Sequence, residues 1–236
     1  MTESEWLACT DPQKMLGHLG ERASERKLRL FACACCRRIW HLLKDRRSRE
    51  AVEAVGRFAD GLAPAEERAT ANFAALQAAE AAARAYDEGP PRLREAAAAE
   101  AAADAALAAV GPVHLIHAVV EDAVDAARLS ELHPADDPLG AIERAAQAAL
   151  LCDLFSPFRP VTIAPACLTP QVVALAQAAY EQRELPAGTL DLARLAVVAD
   201  ALEDAGCDQA DLLGHLRGPG PHVRGCWAVD LLLGKE

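Results

Sequence analysis

Apolar stretches in this chain are short and are broken by capping residues, prolines and glycines in the manner of helices. Asp11-Pro12 places a cap before a first-turn proline, and Gly20 stops that short helix. Ser24-Glu25 opens a second helix, through Phe31 and Trp40 to about Leu43. Ser48 caps a third that ends at Asp60-Gly61. Pro64 with Glu66 and Glu67 starts a fourth, ended by Gly89-Pro90-Pro91. A fifth runs from Pro91 to Gly111-Pro112, and a sixth over 113–129. Asp137-Pro138 opens a seventh, to about Phe155, and Thr169-Pro170 an eighth, to about Arg183. A ninth covers 190–205 before Gly206. Asp208 caps a tenth, ended by Gly218, and the last spans 225–233.

Extended signals are nearly missing. Residues 156–170 carry prolines at 157, 160, 165 and 170, each pushing its predecessor out of the helical region. This stretch is expected to be a Pro-rich connector, with room for one short edge strand at Val161-Thr162-Ile163. The expected fold is therefore all-α, a multi-helix bundle of about ten to eleven helices.

Composition sharpens that picture. There are 54 alanines in 236 residues, so helix is favoured throughout. They concentrate between residues 69 and 109, whereas all eight cysteines and all three tryptophans lie in the outer parts. The expected organisation is one core formed by residues 1–68 and 152–236, interrupted by an Ala-rich helical hairpin or arm over 69–151. Trp6, Phe31 and Trp40 would then bury against Phe155, Phe158, Tyr180 and Trp227. Alanine buries little area, so the middle is expected to add little stability.

Charge excludes some classes. Lys and Arg number 24 against 35 Asp and Glu, a net charge of −11, which disfavours a generic nucleic-acid binder. The uncharged, Ala-rich run 105–120 is too short for a membrane span and is broken by Gly111-Pro112. The acidic start, Met1-Thr2-Glu3-Ser4-Glu5, is unlike a secretory signal. A cytoplasmic location with reduced cysteines is the expectation.

Four groups of residues carry potential chemistry. Cys33 and Cys36 of Cys33-Ala-Cys35-Cys36 share a helix face, and a metal site would need further ligands from Cys9, Cys207, His222 or Cys226. As the common alternative, such cysteines simply fill a core. His114, His117 and Glu121 share another helix face, either as metal ligands or as polar surface positions. Arg37, Arg38, Lys44, Arg46, Arg47 and Arg49 surround Trp40 and His41. Arg37, Arg38, Arg46 and Arg47 are the candidates for contact with an acidic protein partner or a phosphate backbone, the alternative being internal or solvated charge. Finally, Gly218-Pro-Gly-Pro presents His222 just before Cys226, either as a base beside a thiol or as an ordinary lead into a Trp-anchored helix. No Walker-type loop, dinucleotide fingerprint, Gly-x-Ser-x-Gly or His-Glu-x2-His is present.

Several strings resemble an uncharacterised paralogous family of planctomycete bacteria. They are Glu5-Trp6-Leu7 with Thr10-Asp11-Pro12 and Met15-Leu16, and Arg26-Lys27-Leu28-Arg29-Leu30-Phe31-Ala32 with Cys35-Cys36-Arg37-Arg38-Ile39-Trp40. They continue with Pro157-Phe158-Arg159-Pro160, Leu168-Thr169-Pro170, residues 199–207 and His222-Val223-Arg224-Gly225-Cys226-Trp227. Residues 199–206 are also similar to the repeat-companion segment of planctomycete multidomain proteins. The resemblance implies a helical module and carries no activity, cofactor or catalytic residue.

Two functions remain open at this level. The first is a non-catalytic helical interaction or scaffold protein that binds a protein partner. The alternative is a thiol- or metal-dependent protein, with zinc or iron held by Cys33, Cys35 and Cys36 together with C-terminal Cys and His.

Overall fold

A computed structural model describes residues 1–87, 94–130, 138–156, 158 and 161–235. The chain is all-α, with twelve α-helices among the described residues. These are α1 (Glu3–Leu7), α2 (Pro12–Leu19), α3 (Glu25–Arg38), α4 (Arg46–Ala59), α5 (Ala65–Asp87) and α6 (Arg94–Val110). They continue with α7 (Ile116–Ser130), α8 (Pro138–Leu154), α9 (Pro170–Glu181), α10 (Leu192–Asp204), α11 (Ala210–Leu216) and α12 (Trp227–Leu233).

Local chemistry accounts for most of the starts. The Asp11 carboxylate accepts from the backbone of Gln13 and Lys14, and Ser24 Oγ from Lys27. Thr169 caps α9 through the Val172 amide, and Asp191 caps α10 through Ala193 and Arg194. Four details depart from the sequence reading, the first being that α3 ends at Arg38, short of the expected Trp40 and Leu43. A short α1 precedes the first expected helix, closed by a reciprocal Thr2–Glu5 capping box. Asp45, not Ser48, caps α4, and Ser48 lies buried inside the helix. Asp208 does not cap α11, whose N-cap Gln209 makes no side-chain bond.

No strand forms at Val161-Thr162-Ile163. The sheet among the described residues is one antiparallel pair, β1 (Arg183–Glu184) with β2 (Thr189–Leu190). It is a tight ribbon between α9 and α10, a place where the pattern suggests only a helix end and a turn. The expected hairpin turn at Gly89-Pro90-Pro91 and the cap at Asp137 lie outside the described residues.

The helices group into two compact units, one of residues 9–148 and one of residues 1–8 with 149–236. In the first, α6 packs along α5 and α7, α4 along α5, and α3 against α4, α6 and α7. Its interior holds Phe31, Cys35, Cys36, Ile39, Val52 and Val55, and also a stripe of fully buried alanines at 98, 102, 105 and 106. This grouping differs from the expected one. The helices over 9–68 take the Ala-rich helices as packing partners, because axes faced with alanine approach closely enough to share one core. Of the first 68 residues, only 1–8 group with the C-terminal part.

The second unit is built on α9, α10, α11 and α12. Val172, Tyr180, Leu195, Leu202, Leu212, Leu216, Cys226 and Val229 form its buried cluster. Among the described residues no helix is long and apolar enough to cross a membrane. All eight cysteines are free thiols.

Candidate metal centre

One polar cluster interrupts the apolar interior of the C-terminal unit. It consists of Asp153, His215, His222 and Cys226, whose donor atoms all lie within 4.8 Å of one another. Four different pieces of chain supply them. Asp153 sits in the last turn of α8, His215 in the last turn of α11, His222 in the loop after α11, and Cys226 just before α12.

The loop is shaped to present His222. Gly220 has φ +79°, and the bond to Pro221 is cis. A Cβ at Gly220 would fall 3.0 Å from the His222 amide nitrogen and 3.4 Å from its ring, so the close approach itself calls for glycine. The His222 carbonyl then accepts from the Leu190 amide at 2.8 Å, which ties the loop to β2. A turn from Val223 to Cys226 follows, closed by a 3.0 Å backbone bond.

The Asp153 carboxylate is the hub. Its Oδ1 lies 2.7 Å from His222 Nδ1 and 3.0 Å from His215 Nε2, and its Oδ2 accepts from the Val223 amide at 2.9 Å. Cys226 Sγ stands 3.3 Å from His215 Nε2 and 3.9 Å from His222 Nδ1. The far nitrogen of His222 faces the Gly218 carbonyl at 3.4 Å. The His215 ring packs edge-on against His222 and is tilted against Trp227, with centroids 4.8 and 4.7 Å away.

Burial sets the electrostatics. For Asp153, burial favours the neutral acid, but the hydrogen bonds and charges of His215 and His222 outweigh it and hold the pKa below the usual range. For His222, burial opposes the charged ring, and Asp153 overcomes this to leave the pKa raised. The Cys226 thiol is pushed well up, first by burial and then by the Asp153 charge. A cation placed among these groups would reverse the penalty on the thiolate.

The geometry distinguishes a proton relay from a metal site. In a nucleophile–base–acid triad the imidazole uses opposite nitrogens, one toward the nucleophile and one toward the carboxylate. Here each histidine turns the same nitrogen toward both Asp153 and Cys226. Neither ring is therefore held by the carboxylate at one nitrogen while facing the thiol with the other, which is the arrangement a triad requires. The four donor atoms instead crowd within 4.8 Å of one another. A tetrahedral zinc site with bonds of about 2.0–2.3 Å has donor–donor edges of about 3.3–3.6 Å. Four of the six edges here run from 2.7 to 3.9 Å and none exceeds 4.8 Å, so a bound ion would draw the donors to more even spacing. The Gly218 carbonyl behind His222 is the usual outer partner of a ligating imidazole.

A cleft of about 500 Å³ adjoins the cluster, and Asp153, His215 and His222 line it together with Trp6, Phe158 and Trp227.

Of the expected site residues, the structure brings His222 and Cys226 together and joins neither to Cys33 or Cys36. Cys33, Cys35 and Cys36 are buried in α3 in the other unit, where the Cys33 thiol donates to the Val52 carbonyl. Burial pushes the Cys35 and Cys36 thiols well above the ordinary range. Gln13 amide Nε2 donates to the His117 carbonyl and to Glu121, and Gln13 Oε1 meets the His117 ring. Those two residues thus anchor α2 on α7. The four arginines each meet a carboxylate: Arg37 with Glu53, Arg38 with Glu143, Arg46 with Glu50, and Arg47 with Asp45. Arg37 also lies over the Trp40 ring.

Asp153 and His215 complete the cluster without a motif of their own in the sequence. The spacing His215-x6-His222-x3-Cys226 was the signal available for the second of them. Asp153 had none, being one of many acids and 62 residues from His215. The chain matches no protein-family model and shows no significant similarity to a curated protein or a solved structure.

Proposed function

We propose that this protein binds a transition metal, zinc by preference, through Asp153 Oδ1, His215 Nε2, His222 Nδ1 and Cys226 Sγ. The observation that carries the reading is the convergence of one nitrogen from each histidine on both the carboxylate and the sulfur. One thiolate, two imidazoles and one carboxylate gathered within 4.8 Å suit zinc over magnesium or calcium, which take oxygen donors. Of the two functions the sequence leaves open, this is the metal-dependent one, with its ligands drawn from the C-terminal unit alone.

Such a metal ties the end of α8 to α11, to the Gly-Pro loop and to the start of α12. The free energy of metal binding, net of the cost of deprotonating the ligands, then contributes to folding of the unit. Elemental analysis of the protein after reconstitution with zinc and dialysis tests the reading. About one equivalent of retained zinc is expected, falling to background when His222 and Cys226 are both replaced by alanine. Retention by the double variant, or no retention by the wild type, would refute it.

A further inference from the structure

The cleft beside the cluster has features that a purely structural metal site does not need. Three of the four donor residues, Asp153, His215 and His222, form part of its wall, whereas Cys226 does not. The His215 side chain is 20% exposed, while Asp153 and His222 are 2% exposed and Cys226 is fully buried. A metal held by the four donors therefore has one buried side, toward the sulfur, and one side toward the cleft.

The remaining wall combines aromatic and apolar side chains with the polar Ser156 and the carboxylates of Glu3 and Asp211. Trp6 and Phe158 meet edge to face with centroids 6.1 Å apart, and Trp227 and Val161 extend the surface. The volume, about 500 Å³, falls in the range of small-molecule sites, which combine an apolar lining with a few polar groups that fix orientation. Zinc centres with four donors can expand to five when a further ligand approaches an open face.

We infer that the cleft is a binding site for a small molecule with an aromatic body and one metal-binding oxygen group, which reaches the metal across its His215 side. The inference rests on the metal reading above. The ring of the ligand packs on Trp6, Phe158 and Trp227, and its donor atom becomes a fifth ligand. No bond of the ligand is made or broken in this step.

Cobalt(II) is the probe. The full-length protein is loaded with cobalt and titrated with benzohydroxamate, and in parallel with acetohydroxamate, which has the same donor without the ring. Visible absorption with a thiolate charge-transfer band reports cobalt in the site. Benzohydroxamate is expected to shift the visible bands saturably, with an affinity at least tenfold better than acetohydroxamate. Ser156→Trp, an exposed position on the cleft wall, should keep the cobalt spectrum and weaken benzohydroxamate by about tenfold. If no cobalt spectrum forms, the metal reading falls and this inference with it. A cobalt spectrum that benzohydroxamate leaves unchanged overturns this inference alone. So does an equal response to both hydroxamates, or loss of cobalt from the protein on titration.

Discussion

At the scale of single residues, the cluster depends on one carboxylate more than on any other group. Asp153 meets both histidines and the backbone of Val223 while almost wholly buried. Asp153→Asn keeps the shape and removes the charge. We expect zinc affinity to fall at least tenfold, measured by competition with a chromophoric chelator, since even outer-shell changes cost 10–100-fold. Unchanged affinity would mean that the carboxylate is no ligand. Gly220 is the second sensitive position. Gly220→Ala forces a side chain into positive φ and against the His222 amide, at a cost of about 1–2 kcal/mol in denaturant unfolding. A neutral result would show that the loop can present His222 in another way.

At the scale of elements, the caps carry clear expectations. Asp191 accepts two amide bonds at the start of α10, so Asp191→Ala should cost about 1 kcal/mol in urea unfolding. The helices themselves were largely legible, because Asp11-Pro12, Thr169-Pro170, Gly206 and Gly234 punctuate them with known chemistry. The Ala-rich pair α5 and α6 was legible as helix and not as core. Alanine looks alike on every face, so nothing in the pattern reveals that 98, 102, 105 and 106 are buried at helical spacing. Ala105→Leu should therefore destabilise by about 1–3 kcal/mol through overpacking, which an exposed arm would not show. The site was half legible for a similar reason. His222 and Cys226 stand close in sequence, whereas Asp153 arrives through tertiary folding.

At the scale of the whole molecule, stability should depend on pH and on metal through separate groups. In the unit of residues 9–148, burial, then the charges of Asp104, Asp125 and Glu121, raise the Asp122 pKa to about 6. The folded state thus holds this proton more tightly than the unfolded chain does. The resulting stability is present below the ordinary carboxyl range near 4 and is lost as pH rises through about 6. Asp122→Asn should raise the melting temperature at pH 7 and change it little at pH 4. An equal gain at both pH values would assign the effect to packing instead. In the other unit, metal removal by a chelator should speed amide exchange in α11 and α12. The same chelator should have no effect on exchange in the His222→Ala, Cys226→Ala double variant.

The order of the ligands along the chain bears on how the unit assembles. His215 and Cys226 are 11 positions apart, and His222 and Cys226 only 4, but Asp153 is 62 positions from His215. Closing the long loop costs about 1.5 kcal/mol more than closing the 11-residue one. An unfolded chain can therefore retain zinc on its last three donors after Asp153 has let go. Zinc held in this way stabilises the denatured ensemble as well and reduces the stability gained from the metal. In a denaturant titration, zinc release should then lag the loss of helix instead of coinciding with it. The C-terminal segment would act as a nucleus around which the end of α8 closes last.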